Sequence, residues 1–123
     1  MYDAFGRGDV AAILERCTDD VDWATDAAGE AAPWHGVKHG KAEVPSFFAG
    51  ISQTGPVTEF TPLAFAGNDD GDVMVFIRCA FIVTATGKHV ATNMHHYWEF
   101  RDGKACFVRS SEDTAQVTAA LTP

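Results

Sequence analysis

The chain has 123 residues, 46% of them hydrophobic and 21% charged, which suits one globular domain (residues 1–123) able to bury a single core. A formal net charge of −8 argues against nucleic acid and against anionic membrane surfaces, since both need a basic face. Cys17, Cys79 and Cys106 are odd in number and widely spaced, with no CxxC pair, so they read as free thiols in a reducing compartment, the cytoplasm. No apolar run approaches the length of a membrane span, and no signal-peptide pattern opens the chain.

Met1 to Gly6 reads as the end of a helix whose earlier turns are missing or very short, with Tyr2 and Phe5 on its buried side. A second short helix follows, N-capped by Asp9, with Val10, Ile13 and Leu14 as its apolar stripe. Asp19 to Ala24 is a first strand with Val21 and Trp23 on one face. A loop then leads to Pro33-Trp34-His35-Gly36. Val44, Phe47, Phe48 and Ile51 recur at helical spacing, which predicts a helix over Lys41–Ile51, with Pro45 tolerated near its start.

Val57 to Ala66 is a strand that alternates only in part, with Phe60, Pro62 and Ala64 opposite Thr61, Leu63 and Phe65. Asn68-Asp69-Asp70-Gly71 is a turn. Asp72 to Thr86 is a long apolar strand interrupted only by Arg78, and Thr86-Gly87-Lys88 turns again. His89 to Asp113 forms a hairpin around Asp102-Gly103. Thr114 to Leu121 closes the chain as a helix. Helices grouped on one side of a mostly antiparallel, curved sheet make an α+β cone with an open mouth, a place where small ligands bind.

Successive strand residues point to opposite faces, so His95 and His96 cannot share a pocket. Thr92, Met94, His96, Trp98 and Phe100 form the more apolar face and should look into the core. His96 is then an imidazole on an apolar inward face, costly without a partner. It is either a pocket donor or acid/base group, or a core histidine satisfied by a neighbour.

The order of elements, with YDAFGRGD at Tyr2–Asp9, PWHG at Pro33–Gly36, Phe47-Phe48, HYWEFRDGK at His96–Lys104 and RSSEDTAQ at Arg109–Gln116, resembles the nuclear-transport-factor-2-like superfamily. Within it the chain is similar to the SnoaL-like polyketide cyclase and ketosteroid isomerase branches. The resemblance implies an oxyanion-stabilising donor at His96, the role a protonated aspartic acid fills in the isomerase, which is itself a standard example of that role. It puts the isomerase's general base near Trp23, which cannot take a proton, and its tyrosine donor at or before Met1. Steroid isomerisation is therefore not the expected reaction. The cyclase pattern instead implies Asp113 as acid/base group, with His96 as the inward histidine of the preceding strand.

Each of these residues has a plainer reading. Asp113-Thr114-Ala115-Gln116 has the form of a capping box, so Asp113 either faces the pocket or caps the last helix. Arg78 either binds an anionic substrate group or pairs with a carboxylate on a neighbouring strand. Trp23, Trp34, Phe47, Phe48, Met94 and Trp98 are pocket walls or core. His35 and His39 stand four apart, but Gly36 between them and their place before the helix argue against a metal site. The expected function is cofactor-free proton transfer on a small, largely apolar carbonyl compound, of isomerase or cyclase type. The alternative is a non-catalytic ligand-binding or protein-interaction module on the same cone. The outer face carrying Ala91, Asn93, His95 and Tyr97 is the expected homodimer contact.

Overall fold

The computed structural model describes residues 1–123. Two short helices open the chain, α1 (Tyr2–Arg7) and α2 (Val10–Glu15). Gly8, in the left-handed conformation at φ 66°, ends α1, and the Asp9 carboxylate accepts from the Ala12 N–H to start α2. Helices this short are marginal alone. Packing holds them: Ala4 and Ile13 are buried, and the Phe5 ring stacks on Trp23 and Phe60.

β1 (Cys17–Thr25) is longer than its sequence pattern suggests, and β2 (Lys38–His39) pairs with it as a short antiparallel edge that hydrophobicity does not mark. α3 (Val44–Thr54) follows, with Pro45 in its first turn. Gly50 lets α3 approach the backbone at Pro33 and Trp34: a Cβ there would lie 2.9 Å from the Pro33 carbonyl. That close contact fixes the Pro33–Gly36 loop against the helix.

β3 (Val57–Gly67), β4 (Val73–Ile82), β5 (His89–Arg101) and β6 (Lys104–Ser111) form an antiparallel meander, and α4 (Thr114–Leu121) ends the chain. The sheet order is β2-β1-β6-β5-β4-β3, with β1 running parallel to β6 and every other pair antiparallel. Asn68 accepts from the N–H groups of Asp70 and Asp72 to close the first turn. Asp102 and Gly103, at φ 52° and 79°, close the last. The expected α+β architecture, a curved and mostly antiparallel sheet with helices, is what the chain adopts.

Three local readings are corrected. β4 stops at Ile82 rather than Thr86, because Val83 turns to bond the Lys88 carbonyl. Pro62 has no N–H to give the ladder, and a register shift between Pro62 and Ala64 inverts the alternation of β3 beyond it. Phe60 and Phe65, expected on opposite faces, therefore both lie against the Tyr2 ring. Phe100 keeps to the inward row, opposite Ala105 and stacked on Trp98, but it stands at the end of β5 and is exposed rather than part of the core.

Candidate functional site

The inward faces of β1, β6, β5 and β4 meet in one cross-strand row. Thr25 lies opposite Ser110, Ser110 opposite His96, and His96 opposite Val75. All four are buried. His96 does have a partner: its Nδ1 stands 2.8 Å from the Tyr2 hydroxyl. The same hydroxyl accepts from the Trp98 indole N–H at 2.9 Å. Tyr2 thus bridges two side chains that stand on one face of β5, and its ring stacks on the imidazole. The only protein partner of the His96 ring is at Nδ1, which leaves Nε2.

Burial sets the electrostatics. Desolvation, helped by neighbouring His95, pulls the His96 pKa down to about 4, so the imidazole is neutral near pH 7. Desolvation also raises the Tyr2 phenol, against a smaller opposing effect from the Trp98 hydrogen bond, so Tyr2 keeps its proton.

A second polar cluster forms where β6 runs into α4. Glu112 Oε1 accepts from the Trp34 indole N–H at 2.7 Å and lies 3.1 Å from His35 Nε2. His35 Nδ1 accepts from the Ala32 N–H at 3.3 Å, so Nε2 carries the proton that His35 gives to Glu112. The His35 and Glu112 side chains are 1% and 2% exposed. Both donors fall on Oε1, leaving Oε2 of a buried carboxylate.

His96 of the first cluster and Trp34 and Glu112 of the second line one cavity of about 1150 Å³. His96, Ser110 and Glu112 stand at successive inward positions of its sheet wall, with Glu112 two residues beyond Ser110, roughly 7 Å along the strand direction. Phe47, Phe48, Trp34, Phe60 and Phe81 supply apolar walls, and Met94 completes the sheet side. Residues at the α1–α2 junction also line it: Gly6, Arg7 and Gly8. Cys79 lines the cavity too, but burial foremost, with the nearby Glu112 and Glu59 charges, pushes its thiol up to about 11. It stays protonated and is a poor nucleophile. No group of three or more His, Cys, Asp or Glu side chains is placed to hold a metal ion.

Of the residues singled out by sequence, the cavity brings together His96, Trp34, Phe47, Phe48 and Met94. Four stand elsewhere. Asp113 caps α4: its Oδ1 accepts from the Gln116 N–H and its Oδ2 from the Gln116 amide, so both oxygens turn away from the cavity. Trp23 is core, 2% exposed and packed on Phe5, Phe47 and Trp98. Trp98 is equally buried and acts through its bond to Tyr2. Arg78 alternates with inward Ile77 and Cys79, faces outward, and pairs with Glu59 at 3.5 Å.

Sequence reasoning missed Tyr2, His35 and Glu112. Glu112 was within reach, because inward Val108 and Ser110 place the next inward residue at 112 rather than 113. The partnership of His35 with Glu112 spans 77 positions and left no local signal.

A six-stranded curved, mostly antiparallel sheet with helices packed on it defines an α+β fold of nuclear-transport-factor-2-like architecture. The family profile of the SnoaL-like domain matches residues 1–108, and the chain belongs to that family. Among solved structures it is similar to a nuclear-transport-factor-2-like protein of unknown function from Burkholderia pseudomallei K96243, with 24% identity, 99% of this chain and 92% of that one covered, and a TM-score of 0.88. It is similar to TerC, crystallised with polyporic acid, at 24% identity over 99% and 92% of the two chains, with a TM-score of 0.85. A putative SnoaL-like polyketide cyclase from Jannaschia sp. CCS1 shares 17% identity over 94% and 81% of the chains, with a TM-score of 0.78. No curated protein is significantly similar to the chain.

Proposed function

We propose that the protein is a cofactor-free acid/base enzyme of isomerase or cyclase type, acting on a small, largely apolar carbonyl compound held in the cavity. The observation that carries this reading is the pairing, on one inward face, of a neutral imidazole with a free Nε2 and a buried carboxylate with a free Oε2. Glu112 takes a proton from the carbon next to the carbonyl. The electron pair moves onto the carbonyl oxygen, and His96 Nε2–H stabilises the enolate so formed. The carboxylic acid then returns the proton to the same carbon or to another. The aromatic walls exclude water and suit a planar apolar body, and TerC, a protein of the same fold, was crystallised with polyporic acid.

The second reading is a ligand-binding module without turnover. One observation favours it: Glu112 already receives two N–H donors and anchors the Pro33–Gly36 loop. The two readings separate in deuterium oxide with 2-tetralone, an apolar ketone with acidic α-hydrogens. The enzyme reading expects faster α-deuteration than in buffer, and a binding module expects association without exchange.

The homodimer belongs to the same proposal, formed through the outer sheet face, where Met74, Phe76, Tyr97 and Phe107 give apolar surface around His95. Sedimentation at micromolar concentration should give twice the 13.2 kDa chain mass, and a monomer there contradicts it. The free state of all three cysteines fits the cytoplasm as its place of work.

A further inference from the structure

We propose that Tyr2 is a positioning residue that holds His96 in the tautomer with its proton on Nε2, and that Trp98 sets the direction of this relay. Protons and lone pairs around the Tyr2 oxygen fix the tautomer. The indole of Trp98 can only donate, so its bond fills one acceptor site of the Tyr2 oxygen. The phenol has a single hydrogen, and Nδ1 of His96 lies 2.8 Å from its oxygen. If Nδ1 carried the imidazole proton, two N–H groups would point at the Tyr2 oxygen, and the phenol hydrogen would be left without an acceptor. If Nδ1 is bare, every group is used: Trp98 N–H donates to Tyr2, and Tyr2 O–H donates to Nδ1. The imidazole proton then sits on Nε2, the nitrogen without a protein partner on a residue that lines the cavity.

The stack of the two rings, with centroids 5.8 Å apart and planes 21° from parallel, holds the imidazole plane as well as its proton. Phe5, Phe60 and Trp98 close around the pair at 6.0–6.2 Å from the imidazole centroid. A residue near the start of the chain therefore decides what the sheet can offer a ligand. Without the Tyr2 hydroxyl, Nδ1 could hold the proton, and Nε2 would be an acceptor that repels a carbonyl oxygen. The catalytic meaning rests on the proposed role of His96, but the tautomer itself does not.

The experiment is long-range proton–nitrogen NMR on protein labelled with nitrogen-15 at histidine, with His96 assigned by its loss in His96→Gln. In the wild type at neutral pH, His96 should show one bare nitrogen, Nδ1, and one protonated nitrogen, Nε2. Tyr2→Phe should lose this single pattern and give a mixture or the reversed tautomer, while the other four histidines keep theirs. A wild-type His96 with its proton on Nδ1 overturns the proposal without any variant. So does a folded Tyr2→Phe whose His96 signals match the wild type. No substrate is needed, so loss of 2-tetralone exchange together with the expected NMR pattern would count against the enzyme reading alone.

Discussion

His96 and Glu112 are polar groups placed where water cannot reach freely, and each is kept by a partner from a distant part of the chain. For His96 this has a consequence in acid. Its folded pKa, about 4, lies below the ordinary histidine value of about 6.5. Between those two values the unfolded chain binds a proton that the native chain does not. Stability should therefore fall as pH drops from about 6.5 towards 4, with His96 contributing about 3 kcal/mol across that window. Urea titrations at several pH values check this: His96→Gln should flatten the slope there, and an unchanged slope contradicts the buried, neutral assignment. At this scale the sequence was legible for parity and blind to pairing. Alternation put His96 inward correctly. The resemblance pointed to Asp113, with a helix cap as its other reading; the structure shows the cap, and the strand's period of two puts Glu112 on the inward row.

At the scale of elements, the junction between β6 and α4 shows why adjacent acids take different roles. Glu112 continues the inward row, whereas Asp113 lies where the chain leaves the sheet and a helix needs an acceptor for its first N–H groups. Gln116 extends this cap: its amide also bonds both the N–H and the carbonyl of Ala91 on β5, beyond the last paired residue of β6. Asp113→Ala should cost roughly 1 kcal/mol in a urea or thermal melt while leaving α-deuteration of 2-tetralone intact. Loss of exchange in a folded Asp113→Ala would return the acid role to Asp113. The elements themselves were readable from turns and helical spacing. β2 was not, because two residues cannot show a period, and the far half of β3 was not, because Pro62 shifts its register.

For the whole molecule, the fold brings His96 and Glu112 to one cavity and sets behind them their partners Tyr2 and His35 from distant parts of the chain. That convergence follows from the fold, and the resemblance of ordered motifs conveyed the fold well before any side-chain partner could be inferred. The family and the architecture were legible for that reason; the site was legible only in part, because its pairs join ends of the chain that have no common periodicity. The measurement that bears most directly on the central claim is the rate of α-deuteration of 2-tetralone by the wild type, Glu112→Gln and His96→Ala, with folding checked by circular dichroism. The wild type should catalyse exchange, with a loss of about 100-fold or more in Glu112→Gln and a loss of about 100-fold in His96→Ala. Wild-type exchange no faster than buffer, or full exchange in both folded variants, would contradict that claim.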